Sequence, residues 1–291
     1  MLYRRLGNTM ERIPAIGQGT WKFGESKLNE KQEIEALRFG LTNGLKLIDT
    51  AEEYGNGGAE KIVGQAIQDV RKEVFLVTKV SAKNCSFNGV LRAAEASLKR
   101  LKTNQIDLYL QHWPSEQYEI SETMGAMVEL VKLGLIKYVG VSNFTPDLMK
   151  EAQQCLGSIP LVCNQVAYHL NDRRIENDIL PYCKENNITV MGYSPFGYAP
   201  KIFGMDGFPE VGTKERDVLN IIANKYNASV YQVALHWVLK EEQLVTIPKA
   251  VNKEHIEDNL KALSLKLDKD DLEQIELIFP QNKYHLVNKT Q

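Results

Sequence analysis

Asp49, Tyr54, Lys79 and His112 stand at or just beyond the ends of three apolar runs, and their chemistries fit together. A free tyrosine, with a pKa of about 10, exchanges its proton poorly at neutral pH; a neighbouring ammonium stabilises the phenolate and lowers that value. Lys79 is expected to supply the ammonium, and Asp49 the counter-charge that a buried lysine needs. His112 can hydrogen-bond a carbonyl oxygen beside the tyrosine hydroxyl. Such a set suits protonation of a carbonyl oxygen while a hydride reaches its carbon, or the reverse. Taken singly, each residue has a plainer use: Asp49 with Lys79 as a structural ion pair, His112 as a satisfied polar group, Tyr54 as a packing aromatic. Their joint placement at matching strand ends is what points to chemistry.

The elements that must position them repeat along the chain. Short β-branched or apolar runs occur at Ala15–Gln18, Leu45–Asp49, Val74–Lys79, Ile106–His112, Tyr138–Ser142, Leu161–Gln165, Thr189–Tyr193 and Leu244–Ile247. Between them lie segments with helical spacing, such as Ile34, Leu37, Arg38 and Leu41, or Leu91, Ala94, Leu98 and Leu101. Thr145 before Pro146 reads as a helix start, and Asn43 with Gly44 as a helix end. From Gly19 through Asp49, Lys79, His112, Ser142, Gln165 and Tyr193 the run ends are 30, 30, 33, 30, 23 and 28 residues apart, each one βα unit. The last step, 54 residues to Ile247, leaves room for a long loop (Phe196–Gly212) and an extra helix. The expected fold is α/β: a (β/α)8 TIM barrel in one domain over residues 1–291, with a functional face at the carboxyl ends of its strands. A polar turn at Asn8 suggests an N-terminal β-hairpin that plugs the barrel bottom. An open doubly wound sheet is the competing topology, but Gly17-Gln18-Gly19 lacks the third glycine of the dinucleotide fingerprint, and Gly55-Asn56-Gly57-Gly58 follows a loop.

Composition narrows the classes further. Among 291 residues, 35 Lys plus Arg against 37 Asp plus Glu leave a net charge of −2. That balance excludes the clustered basic excess of a dedicated nucleic-acid binder. No apolar stretch approaches the roughly 18 to 20 residues of a membrane span, and the first residues lack the apolar core of a signal peptide. Cys85, Cys155, Cys163 and Cys183 show no C-x-x-C spacing, so reduced, buried thiols in the cytoplasm are expected. No metal site is expected, and nothing in the chain sets an oligomeric state.

The sequence resembles the aldo-keto reductases nearly end to end, from Leu6 to about Leu267. The resemblance is carried by Gly19-Thr20-Trp21, Asp49-Thr50-Ala51-x-x-Tyr54-Gly55, Thr78-Lys79, Gln111-His112-Trp113-Pro114, Gly140-Val141-Ser142-Asn143-Phe144, Asn164-Gln165-Val166-x-Tyr168, Gly192-Tyr193-Ser194-Pro195 and Ile247-Pro248-Lys249-Ala250. Each motif is weak alone; eight in order are specific. The resemblance implies extra C-terminal helices and a catalytic tetrad of Asp49, Tyr54, Lys79 and His112, with Tyr54 as general acid and base. It also implies a nicotinamide cofactor bound without the Rossmann fingerprint. Ser142, Asn143 and Gln165 would hold the carboxamide, and Tyr193 would stack on the ring. Gly19 and Thr20 would let the backbone approach the ribose side, and Ser194 and Phe196 would open the loop near the pyrophosphate. The implied reaction is NAD(P)H-dependent reduction of aldehydes and ketones, open-chain sugars included, to alcohols.

Beyond the eighth run the match loosens. The family commonly carries Lys-Ser and an Arg five residues past the Ser to grip the 2′-phosphate of NADP. Here Lys249 is kept and Asn259 matches an adenine-contacting position, but Ala250 replaces the Ser and His255 the Arg. A guanidinium makes fixed bidentate contacts that a part-time imidazolium does not. Lys253 can compensate as a point charge. NADP is the expected cofactor, with NAD as a second. Trp21 and Trp113 match the substrate mouth, with Tyr118 and Phe203 joining from loops. The short polar tail from Pro280 points to an open pocket and a small-molecule carbonyl substrate. Two other functions fit the scaffold: a cofactor-binding regulatory subunit, and a Schiff-base aldolase using Lys79 or Lys249.

Overall fold

Residues that alternate or run apolar between turn signals form short parallel strands, because each is covered by the barrel interior on one face and by helices on the other. The structure, a computed structural model, describes residues 1–197 and 207–281. An antiparallel hairpin of β1 (Tyr3–Arg5) and β2 (Arg12–Pro14) comes first. Eight strands follow: β3 (Gln18–Gly19), β4 (Leu47–Asp49), β5 (Phe75–Val80), β6 (Ile106–Gln111), β7 (Ile136–Ser142), β8 (Leu161–Ala167), β9 (Thr189–Tyr193) and β10 (Leu244–Thr246). They pair in parallel and in chain order. Parallel bridges Ile16↔Thr246 and Gly19↔Lys249 join the first segment to the last and close the ring. The expected barrel, hairpin and C-terminal helices are all present.

The first barrel strand differs from expectation. Its ladder to β4 covers only Gln18–Gly19, starting where the expected run Ala15–Gln18 ends. Upstream, the backbone turns to the other neighbour: Gly17 N donates to Thr246 O at 2.8 Å, and Thr246 N to Ala15 O at 2.9 Å. The chain passes so close there that a Cβ on Gly19 would stand 2.6 Å from Ile247 O, so closure of the ring itself requires glycine.

Helices α1 (Glu30–Thr42), α2 (Gly58–Ile67), α3 (Phe87–Leu101), α4 (Ile120–Lys132), α5 (Pro146–Leu156) and α6 (Ile179–Glu185) cover the outside, followed by Lys214–Lys225 and Val230–Val238 before β10. The caps work as expected. Thr145 accepts from Leu148 N with Pro146 in the first turn, and α1 ends at Asn43 with Gly44 at φ 92°. Two more helices, Lys253–Lys261 and Lys269–Ile278, follow β10. The last is tied back by Trp237 Nε1 donating to Glu276 and by Arg173 paired with Glu276. No helix among the described residues is long and apolar enough to cross a membrane. All four cysteines are free thiols, three of them buried and Cys155 partly open.

The hairpin plugs the ring. Leu6 and Ile13, both without exposed surface, join Leu47, Phe75, Val77, Leu108, Leu110, Val162 and Val245 in the barrel-interior cluster. Gly7, at φ 51°, lets the turn approach Val162 and Asn187, and its N–H donates to Thr189 Oγ1 at 2.7 Å. Truncation of a buried leucine costs its transfer energy plus that of the cavity left behind. Leu6→Ala is therefore expected to lower the unfolding free energy in urea by about 2–5 kcal/mol. Leu28→Ala, at an exposed position, should change it by less than about 0.5 kcal/mol.

Candidate active site

Asp49 ends β4 opposite Val77 of β5, and Lys79, two residues further along β5 on the same inward face, reaches back to its carboxylate. Lys79 has no exposed surface and Asp49 almost none. The ammonium carries three N–H groups, and three oxygens meet it: Asp49 Oδ2 at 2.8 Å, Thr50 O at 2.8 Å and Tyr54 Oη at 3.4 Å. Burial pulls the Lys79 pKa down, and the adjacent carboxylate opposes that pull. The Asp49 carboxylate at 2.8 Å favours the ammonium, which counts against the free amine that a Schiff-base aldolase would need.

Tyr54 opens a 3-10 turn, Tyr54–Gly57, whose Gly55 and Asn56 have left-handed backbones; this turn aims the phenol back at Lys79. The side chain receives a hydrogen bond from Lys79, and the ammonium lies 4.9 Å from the ring centroid. His112 follows β6 and meets the Tyr54 ring edge-on, with centroids 5.6 Å apart. Contrary to the expected lowering by Lys79, the Tyr54 pKa is pushed well above its usual value, first by burial and then by the negative charges of Asp49 and Glu53. In this form Tyr54 keeps its proton, as a proton donor must. His112 is pulled below its usual value by burial, partly offset by Glu53.

A second group surrounds this quartet from β7, β8 and β9. Ser142 Oγ donates to Gln165 O at 2.9 Å; Asn143 Nδ2 donates to His112 O at 3.2 Å; Tyr193 Oη donates to Asn143 Oδ1 at 2.9 Å. Gln165 Nε2 donates to Asp49 Oδ1 at 2.7 Å, so the candidate cofactor residues and the candidate tetrad share one hydrogen-bond network. Asn143 (φ 63°) and Ser194 (φ 55°) both hold left-handed backbones directly after strand ends. Such strain in a non-glycine residue persists where the surroundings over-determine it, as functional sites do.

Other expected residues are placed differently. Gly19 is demanded by ring closure, and Thr20, fully buried, spends its hydroxyl on Asp49 O at 2.9 Å. Their side of the site offers backbone only. Phe196 packs edge-on against Phe208 and Tyr231, with centroids 6.3 and 5.5 Å away. Lys249 lies exposed beyond β10 with its ammonium 5.6 Å from the Phe23 ring. His255 and Asn259 sit one turn apart on the helix Lys253–Lys261, the first exposed and the second buried. Trp21 and Trp113 remain 37% and 43% exposed, unusual for the largest apolar side chain and fitting an open mouth. Tyr118 is half-buried in the loop after β6; Phe203 lies outside the described residues.

Three participants were not anticipated. Glu53 places Oε2 3.1 Å from His112 Nδ1, and Thr50 lends its carbonyl to Lys79. Behind them, fully buried Glu60 accepts from Thr78 Oγ1 at 2.6 Å and pairs with Arg100. The available signal was the pair Glu52-Glu53 immediately before Tyr54, acidic residues where a loop needs none.

Comparison with known proteins agrees with this geometry. The family model described as "Aldo/keto reductase family" matches residues 15–279. The chain is 41% identical to methylglyoxal reductase YeaE of Escherichia coli (strain K12) over 271 residues, 93% of each protein. Among solved structures, a thermostable aldo-keto reductase in complex with the inhibitor epalrestat aligns at TM-score 0.87 and 39% identity, covering 96% of this chain and 100% of that one. An aldo/keto reductase from Klebsiella pneumoniae in complex with NADP and acetate aligns at TM-score 0.86 and 38% identity, covering 97% of both. With the barrel, the ordered motifs and these matches in agreement, the chain belongs to the aldo/keto reductase family.

Proposed function

We propose that this protein reduces aldehydes and ketones to alcohols with NADPH, taking small α-oxo aldehydes such as methylglyoxal among its substrates. The observation that carries the reading is the Lys79 ammonium donating to Tyr54 Oη while burial keeps the phenol protonated. The similarity to a methylglyoxal reductase and to an NADP-bound structure supports the substrate class and the cofactor.

The residues fit a nicotinamide dinucleotide. Gln165 uses Nε2 on Asp49, which leaves Oε1 as its open end, and Asn259 is buried without a side-chain partner among the described residues. Ser142, Asn143 and Gln165 would hold the carboxamide, Tyr193 the ring, Lys249 and Lys253 the phosphate, and Asn259 the base. When bound, the cofactor supplies a hydride to the carbonyl carbon.

The chain's own side chains do the rest. Tyr54 Oη and His112 flank the position of the carbonyl oxygen. As charge develops on that oxygen, Tyr54 releases its proton to it. The Lys79 N–H stabilises the phenolate left behind, and Asp49 keeps Lys79 charged. Trp21 and Trp113 form apolar walls beside this polar floor. The whole chain, 1–291, acts as one barrel domain, and its free thiols support a cytoplasmic location.

Tyr54→Phe removes the proton and little volume. It should reduce kcat for methylglyoxal by about 10²- to 10⁴-fold, followed as loss of NADPH absorbance. Cofactor affinity, read by tryptophan fluorescence quenching, should stay within about twofold; turnover at the native rate would refute the mechanism. Lys249→Met removes a charge-assisted contact to phosphate. It should weaken NADPH about tenfold, or ~1.4 kcal/mol, while NADH changes by less than about twofold in the same titration.

A further inference from the structure

Glu53 is more than a neighbour of Tyr54. Oε1 accepts from Ser81 Oγ at 2.6 Å, and Oε2 lies 3.1 Å from His112 Nδ1. Ser81 is itself fixed, its N–H donating to Glu52 Oε1 at 2.7 Å, and that same oxygen accepts from Asn84 Nδ2 at 2.9 Å. The Glu53 carboxylate is therefore held in place even though its side chain is 42% exposed. The contact lies off the hydrogen-bond axis of the ring nitrogen, yet a lone pair on Nδ1 would meet the ionised carboxylate at 3.1 Å with negative facing negative, so charge favours hydrogen on Nδ1. Nε2 of His112 has no protein partner among the described residues.

We propose that Glu53 is a positioning residue that keeps a proton on Nδ1 of His112, so that the imidazole meets the substrate oxygen through Nε2 and donates to it only as the imidazolium. The proposal rests on the carbonyl-reduction reading of this site. A neutral imidazole protonated at Nδ1 presents a lone pair at Nε2. That lone pair repels a carbonyl oxygen but accepts from an alcohol hydroxyl. Glu53 thereby links reduction to the charged ring and alcohol oxidation to the neutral one.

The charges facing His112 are few. Glu53 and, from β4, Asp49 favour the imidazolium; Lys79, from β5, disfavours it, as does burial. Tyr54, Trp113 and Asn143 complete the surroundings as neutral groups. Glu53 is held down to about 2, first by His112 and also by Ser81 and Lys83, so it stays ionised across the working range. Burial wins at His112, and its pKa lies below the usual value. Reduction should accordingly fall as pH rises through that value. Removal of the Glu53 charge lowers the value further and moves this limb to lower pH.

Two measurements test the assignment. Long-range 1H–15N NMR of histidine-labelled protein, with His112 identified by its loss in His112→Asn, reads the neutral tautomer directly in the native chain. The Nδ1–H form is expected; the Nε2–H form overturns the proposal. The pH profile of kcat/KM for methylglyoxal reduction should shift in Glu53→Gln by about one unit to lower pH, a loss of about tenfold above the limb. NADPH affinity serves as the control for folding. Coincident profiles overturn the proposal. The NMR readout needs no turnover, so a chain with the Nδ1–H form that reduces no aldehyde rejects the proposed function and leaves the Glu53 assignment standing.

Discussion

A lysine ammonium with no contact to water is the constraint on which the rest of this structure turns. Taking such an ion out of water costs several kcal/mol, recovered only if a charge and hydrogen-bond acceptors meet it with good geometry. Lys79 finds all three acceptors: the Asp49 carboxylate, the Thr50 carbonyl and the Tyr54 hydroxyl. Because the third acceptor is a phenol, the arrangement places electrostatic stabilisation at the atom that loses a proton in the proposed reaction. A buried ion pair is weak evidence for stability, and a well-packed apolar pair can replace one without loss. The proposed role of Tyr54 gives the pair its purpose here.

The barrel supplies the precision that this pairing demands. Asp49 and Lys79 come from adjacent strands, β4 and β5, whose register places Asp49 beside Val77, two residues from Lys79, within reach of the long lysine side chain. At the opposite end, Leu6 and Ile13 fill the ring and pack against its interior apolar side chains. The ring closes through a contact too close for any side chain at Gly19. The second network, from Tyr193 through Asn143 to His112 and from Gln165 to Asp49, ties the candidate cofactor residues to the candidate tetrad. Left-handed backbones at Asn143 and Ser194 are the local strain this convergence requires.

Much of this was legible in the sequence, for identifiable reasons. Parallel strands buried on both faces read as unbroken apolar runs, and the βα unit recurs at nearly constant length. The eight run ends thus fall within two residues of the observed strand ends, with Gln165 against Ala167 the largest offset. Thr145 with Pro146 and Asn43 with Gly44 marked helix boundaries by chemistry local to the residues. What escaped depends on direction and depth, which spacing does not encode. The turn after Ala51 passes through left-handed Gly55 and Asn56, and only that path brings Glu53 onto His112. Lys79 beside Tyr54 leads to the expectation of a lowered pKa, whereas burial and the charges of Asp49 and Glu53 raise it. Spacing likewise does not reveal that ring closure itself demands a glycine at position 19.

The central claim is that the Asp49–Lys79 pair exists for Tyr54 and not for the barrel. Comparison of the native chain with Lys79→Met and the double variant Asp49→Asn/Lys79→Met, in urea unfolding and in NADPH-dependent turnover, tests it most directly. The single variant leaves a buried carboxylate unpaired and should lose about 3–5 kcal/mol, whereas the double variant should regain most of that stability. Both should turn over at least about 10²-fold more slowly than the native chain. A double variant as unstable as the single one, or one that reduces its substrate at the native rate, would contradict the account.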